Sequence, residues 1–279
     1  RGMIVFENIE QSNKMHVELS KVFGPLKDHP TKTTVRTADE EAHGVIDMHY
    51  VPSDDPEKQD GIVEINGQQL ARFSPWHYDH CYNDELNYAG ILRCPINAPT
   101  GGRTGFMDGI EVYRQFPQDL RDRIEGKNIV YTLDTRLKKM RFGVNFIPIA
   151  ENVLSDQLVK EAAIFPRAMH PAVWTRPSGE KVFHMCPYGC RGIEGDRSDA
   201  AFALLAEIWA EAERVMKVYY HEWEQGDMVV WDNTRVLHEA TGSNPAEQRE
   251  IHRTTIKGDL CHGWWEEPSP AGAGAKALA

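Results

Sequence analysis

The chain opens on the apolar run Met3-Ile4-Val5-Phe6, closed by Glu7-Asn8, and this predicts a strand over residues 3–8. Met15, Leu19, Val22 and Phe23 then recur at i, i+4, i+7 and i+8, the spacing of one helix face, and Gly24-Pro25 ends that helix. Residues 27–61 are polar, with extended candidates at 33–36 and 45–50 and a turn at Ser53-Asp54-Asp55-Pro56; an entrance or lid is expected there. Residues 61–65 and 68–73 flank Asn66-Gly67, the dipeptide of a type I′ turn, and form a predicted hairpin that leads into Ser74-Pro75-Trp76-His77.

Further strands are predicted over 86–94, 104–107, 128–133, 219–223, 228–231 and 249–257, with a second hairpin of 170–175 and 181–185 around Pro177-Ser178-Gly179. Two short helices follow Met107, the second with Pro117 near its first turn and Gly126 at its end. The longest helix, 198–215, gathers Ala201, Leu204, Leu205, Ile208, Trp209 and Ala212 into one apolar stripe. Residues 136–165 follow no single period and are expected to form an insertion over the site, since long irregular segments in compact domains are often functional loops. Residues 268–279, rich in Pro, Ala and Gly, are expected to be a disordered tail. Many short strands and few helices predict a mainly β fold, a sandwich or barrel with flanking helices, in one domain over 1–267. A first residue run that is already a core strand, without Met, suggests that N-terminal elements are missing.

Composition narrows the function. The 31 Lys+Arg against 42 Asp+Glu give a net charge of −11, so neither duplex nucleic acid nor an anionic membrane is an expected partner. No apolar run is long enough to span a bilayer and no signal-like segment is present, so a cytoplasmic protein is expected. The five cysteines are scattered through a chain that needs no disulfide framework, and Cys186-Pro-Tyr-Gly-Cys190 has no second pair to complete a zinc site. There is no GxGxxG and no P-loop, which removes the main support for a nucleotide-binding α/β fold.

Three features carry chemistry. In His77-Tyr78-Asp79, alternation along an extended segment puts His77 and Asp79 on one side while Tyr78 faces away. Far downstream, Met228-Val-Val-Trp231-Asp232-Asn233 turns a polar corner and delivers His238. Two histidines and one carboxylate leave three positions of an octahedral Fe(II) open, whereas structural zinc prefers a closed, thiolate-rich tetrahedron. Arg249 and Arg253, four apart on a predicted strand, project to one side and offer planar forks for carboxylates.

Together with Gly101-Gly102-Arg103-Thr104 and His170-Pro171, these motifs resemble the taurine dioxygenase and 2,4-dichlorophenoxyacetate dioxygenase family of Fe(II)/2-oxoglutarate-dependent oxygenases, with similarity running from Met3 to about Asp259. The resemblance implies a double-stranded β-helix, or jelly roll, and the cofactor set Fe(II), 2-oxoglutarate and O2. It implies His77, Asp79 and His238 as iron ligands, and Thr104 and Arg249 as holders of 2-oxoglutarate, Arg249 standing eleven residues beyond His238 as in the family. Arg253 is expected nearer the substrate, where taurine dioxygenase holds a sulfonate. Phe73, where the family often has Asn, and Tyr78 suggest a bulkier, more aromatic substrate, and His184 is read either as a substrate contact or as a satisfied core or surface histidine. The expected reaction is hydroxylation of a C–H bond in a small, anionic organic molecule, releasing succinate and CO2; the carboxylate of Asp79 argues against the halogenating variant. A non-catalytic jelly roll that binds a metal or small ligand, and a metal-dependent hydrolase, stay open as alternatives, as does a homo-oligomer.

Overall fold

The computed structural model describes residues 2–38, 44–55, 58–152, 154–258 and 263–267. The expected tail, 268–279, and Cys261 lie outside these residues. In chain order the elements are β1 (Met3–Phe6), α1 (Asn13–Phe23), β2 (Ile46–Tyr50), β3 (Ile62–Ile65), β4 (Gln68–Ala71), β5 (Ser74–His77), β6 (Ala89–Ile96) and β7 (Thr104–Asp108). Then come α2 (Gly109–Gln115), α3 (Gln118–Ile124), β8 (Asn128–Tyr131), β9 (Ile147–Ala150), α4 (Ser155–Ala162), β10 (Ala168–Pro171), β11 (Val173–Thr175), β12 (Lys181–Phe183) and β13 (Cys190–Ile193). The chain closes with α5 (Asp199–Val215), β14 (Tyr219–His221), β15 (Met228–Asp232), β16 (Val236–Ala240), β17 (Arg249–Ile256) and β18 (Trp264–Trp265).

A five-stranded sheet, β1-β15-β6-β17-β2, lies against a four-stranded sheet, β14-β7-β16-β5, and the two form the jelly-roll sandwich that holds the site. Between them pack Leu92, Cys94, Phe106, Trp223, Val229, Trp231, Val236 and Ile251. The alternate residues of β5, β7 and β16, including Trp76, Met107 and Leu237, turn outward into a larger core with α2, α3 and α5. The hairpin of β3 and β4 turns at Asn66 (φ 52) and Gly67 (φ 78), both left-handed as a type I′ turn requires.

Three sequence-based expectations change. The second hairpin is split: β10 pairs with β8, and only β11 and β12 pair with each other. Residues 136–165 are not irregular throughout, because β9 adds a third strand to the β3–β4 hairpin and α4 follows it. In α1 the buried residues are His16, Val17 and Ser20, while Val22 is exposed. A polar seam explains this last change: His16 Nε2 lies 3.0 Å from Thr254 Oγ1 of β17, and Ser20 Oγ lies 2.7 Å from the same hydroxyl.

Burial, reinforced by Arg93 and His252, pushes the His16 imidazole from 6.5 down to about 3. The unfolded chain therefore binds a proton that the fold refuses between those values, and stability from this group is complete above about pH 6.5 and declines as pH falls toward about 3. Thermal unfolding followed from pH 7 to 4.5 should lose stability less steeply in His16→Gln than in the wild type, by up to ~1.4 kcal/mol per pH unit; identical slopes would contradict this assignment.

Candidate active site

Strand register builds the first cluster. β16 runs between β5 and β7, so that His238 stands opposite His77 on one side and Phe106 on the other. Directly opposed residues share a face of the sheet, and the two imidazole centroids are 4.2 Å apart. Asp79, two residues beyond His77, brings its carboxylate back to the same side: one ligand atom from each of His77, Asp79 and His238 lies within 4.8 Å of the others.

The protonation of the three side chains suits a cation site. His77 Nδ1 is 2.7 Å from the carbonyl oxygen of Pro75, which can only accept, so Nδ1 carries the proton and Nε2 keeps its lone pair. Burial keeps His77 neutral, and burial with repulsion from His77 and Arg253 does the same to His238 still more strongly. Burial alone would raise the Asp79 carboxyl, but the Arg253 guanidinium, with His238 and His77, holds it well below the usual carboxylate range. Arg253 Nη1 donates to Asp79 Oδ1 at 2.7 Å, while Asp79 Oδ2 and His238 Nδ1 are buried without a partner. Two neutral imidazoles and an ionised carboxylate with an orphaned oxygen fit Fe(II) with three positions left open.

The loop carrying Asp79 is clamped from behind. Asn233 Oδ1 accepts from the Asp79 amide at 2.8 Å, and its Nδ2 donates to the carbonyls of Asp79 (3.0 Å) and Asn87 (3.2 Å). Asn233 is fully buried at the end of β15, and its own carbonyl receives His184 Nε2 at 2.9 Å. Outer partners of this kind fix metal-ligand geometry. Asn233→Ala is expected to weaken Mn(II) binding ~10- to 100-fold, measured by calorimetry on the metal-free protein; an unchanged affinity would show that the clamp does not position Asp79.

Beside the triad opens a cavity of about 670 Å3 whose wall includes His77, Asp79, Thr104, His238, Arg249 and Arg253. Arg249, on β17 of the facing sheet, is buried; its Nη2 donates to the carbonyl of Gly102 at 2.8 Å and its Nε has no partner. Burial pulls its guanidinium down to about 10, and no carboxylate among the described residues offsets that cost. Gly102, left-handed at φ 68, must be glycine for this approach, since a Cβ there would sit 2.8 Å from Arg249 Nε. Thr104, also buried, receives the indole N–H of Trp223 on its hydroxyl oxygen at 3.0 Å.

The remaining candidates separate. Phe73 is on the cavity wall, with Val63 of β3, Phe146 just before β9, Pro148 of β9 and Leu158 of α4 adding apolar surface. Tyr78 borders the cavity but is fully buried, its ring 3.8 Å from that of His184. His184 is not among the cavity-lining residues: it stacks on Trp174 at 3.9 Å inside the core and holds Asn233. Of the two readings of His184, the satisfied core position is where the structure puts it. Arg253 lines the cavity with its guanidinium on Asp79. Trp223 carried no signal in the sequence, since its hydrogen bond joins residues 119 apart; His29 and Tyr188 on the cavity wall were missed for the same reason.

Known proteins are similar to this chain in sequence and in fold. The 2,4-dichlorophenoxyacetate dioxygenase of Cupriavidus pinatubonensis, described as alpha-ketoglutarate-dependent, is 26% identical over 262 residues, 93% of this chain and 85% of that protein. A solved taurine dioxygenase from Burkholderia xenovorans superposes with a TM-score of 0.62 at 21% identity, covering 99% of this chain and 84% of that one. AAD-2, solved in complex with Mn(II) and N-oxalylglycine, superposes with a TM-score of 0.67 at 19% identity, covering 93% of this chain and 84% of its own. The family model for taurine catabolism dioxygenase TauD, TfdA family, matches residues 1–255, and the chain therefore belongs to that family.

Proposed function

We propose that this protein is an Fe(II)- and 2-oxoglutarate-dependent dioxygenase that hydroxylates a C–H bond of a small, anionic organic molecule with an aromatic or otherwise apolar body. The observation that carries this reading is the buried Arg249 guanidinium, without a carboxylate partner among the described residues, set on the wall of the same cavity as the His77, Asp79 and His238 cluster. An isolated buried cation calls for an anion, and a planar guanidinium fork matches a carboxylate in two parallel hydrogen bonds.

His77, Asp79 and His238 hold the iron. When bound, the iron would supply the redox chemistry by which O2 oxidatively decarboxylates 2-oxoglutarate to succinate and CO2 and delivers its other oxygen atom to a substrate C–H bond. Arg249 and the Thr104 hydroxyl hold the carboxylate of 2-oxoglutarate remote from the metal. Arg253, already on Asp79 Oδ1, has further donors for the anionic group of the substrate. The apolar wall of Phe73, Phe146 and Leu158 receives the body of that molecule and keeps water from the reacting carbon. Arg72 and Arg136 also line the cavity; Arg72 pairs with Asp60, while Arg136 shares Asp134 with Arg191. Four buried free cysteines (Cys81, Cys94, Cys186, Cys190) suit a reducing cytoplasm.

The protein supplied with Fe(II), ascorbate and 2-oxoglutarate should form succinate only in the presence of oxygen, and faster when the matching member of a panel of aryloxyacids, alkyl sulfates, sulfonates and small carboxylates is added. Turnover of a panel member without oxygen would point to a hydrolase instead, and absence of succinate under every condition would remove the oxygenase reading.

A further inference from the structure

We infer that Trp223 is a positioning residue for the cosubstrate: its indole N–H fixes the Thr104 hydroxyl as a donor aimed at the carboxylate of 2-oxoglutarate. The inference rests on the reading of Thr104 and Arg249 as the holders of that carboxylate. A threonine hydroxyl has one hydrogen to give and can also accept, and its rotation decides where the hydrogen points. An indole nitrogen can only donate. With Trp223 Nε1 3.0 Å from Thr104 Oγ1, the oxygen is the acceptor in that bond, and its single hydrogen must point elsewhere. Thr104 is 2% exposed and lines the same cavity as Arg249, so the direction left open includes the anion site. A hydroxyl held in this way offers a hydrogen bond to an ionised carboxylate without paying to reorient when the ligand arrives.

Trp223 is itself fixed by its surroundings. It follows β14, whose His221 stands opposite Thr104 in the ladder with β7. The His221 ring meets the Trp223 ring edge-on with centroids 4.5 Å apart, and His221 Nε2 is 3.0 Å from Asp227 Oδ2. Asp227 also accepts the Glu224 amide at 3.0 Å, which closes the turn after Trp223. Trp223 is 3% exposed and packs with Phe106, Trp231 and Ile251 between the two sheets, so its indole is held by close packing. The line Asp227, His221, Trp223, Thr104 therefore runs from the sheet edge to the cavity wall and ends on one hydroxyl.

The test is a double-mutant cycle read as 2-oxoglutarate affinity, by calorimetry on Mn(II)-loaded protein without oxygen. Trp223→Phe should weaken 2-oxoglutarate ~5- to 10-fold with Mn(II) affinity unchanged, Thr104→Val should weaken it by a similar or larger factor, and Trp223→Phe placed on Thr104→Val should cost less than ~2-fold more. Thr104→Ser, which keeps the hydroxyl, should restore the full dependence on Trp223. An undiminished cost of Trp223→Phe in the Thr104→Val background would mean that the indole acts by packing, and no cost in the wild-type background would mean that it does not act at all; either overturns the inference. Arg249→Ala serves as the reference: if it leaves affinity unchanged, the cosubstrate reading itself is wrong, whereas its loss beside an inert Trp223→Phe removes the inference alone. Should Trp223→Phe fail to fold, the Trp223 indole N–H resonance of Zn(II)-loaded protein gives a second readout. It should shift on addition of 2-oxoglutarate and stay fixed in Thr104→Val; no shift in the wild type would overturn the inference.

Discussion

Arg249→Ala is expected to raise the 2-oxoglutarate concentration needed for half-saturation by ~100- to 4,000-fold, while Mn(II) or Fe(II) affinity stays within a few-fold of the wild type. The magnitude follows from burial. Removing one partner of a buried ion pair costs ~3–5 kcal/mol, since the other charge is left without compensation, and each ~1.4 kcal/mol is tenfold in affinity. The metal is spared because Arg249 donates to Gly102 and lies on the facing sheet, whereas the triad stands on β5, β16 and the loop after β5. Arg249→Lys should fall between the two, since an ammonium keeps the charge but not the planar fork. Calorimetric titration of 2-oxoglutarate into Mn(II)-loaded protein measures this directly, and an unchanged affinity in Arg249→Ala would move the cosubstrate carboxylate elsewhere.

His77→Ala should abolish high-affinity metal binding, reducing it by at least ~100-fold, and with it 2-oxoglutarate turnover. This exceeds the effect of Asn233→Ala because a ligand is lost outright, where the asparagine only orients one; outer partners are worth ~10- to 100-fold. The apo fold should survive, since His77 is partly exposed to the cavity and stands at the end of its strand. Thermal unfolding separates the two effects. Metal bound only to the folded state stabilises it in proportion to the logarithm of its concentration over Kd, so Mn(II) should raise the Tm of the wild type and leave that of His77→Ala unmoved. A Mn(II)-dependent rise of equal size in the variant would place the metal on other residues.

Much of this was legible in the chain because the features concerned are local or periodic. The type I′ turn at Asn66-Gly67, the stripe of α5 and the alternation of β17 each follow from neighbouring residues, and the last puts Arg249, Ile251 and Arg253 on the cavity side. His77 and Asp79 are two apart in a segment predicted to be extended, a spacing that lets both side chains face one side. His238 is further away, but the β16 register with β5 makes it the direct neighbour of His77.

What escaped the sequence depends on pairing at a distance. The role of Trp223 exists only once β14 is laid beside β7, and that of His184 only once Asn233 has been brought to Asp79. Residues 136–165 resisted a period because β9 is an edge strand beside β3, with Ile147 and Ile149 exposed and Pro148 and Ala150 on the cavity side. In α1 the sequence stripe included Val22, but the sheet presents Thr254, and a histidine and a serine bury against it instead.

The central claim is that His77, Asp79 and His238 hold an iron to which 2-oxoglutarate binds under the control of Arg249. Absorption spectroscopy of the wild-type protein with Fe(II) and 2-oxoglutarate in the absence of oxygen tests it most directly. A visible charge-transfer band from the iron chelate is expected, absent in His77→Ala and recovered in Arg249→Ala only at far higher 2-oxoglutarate. No band in the wild type, or a band that survives in His77→Ala, would contradict it.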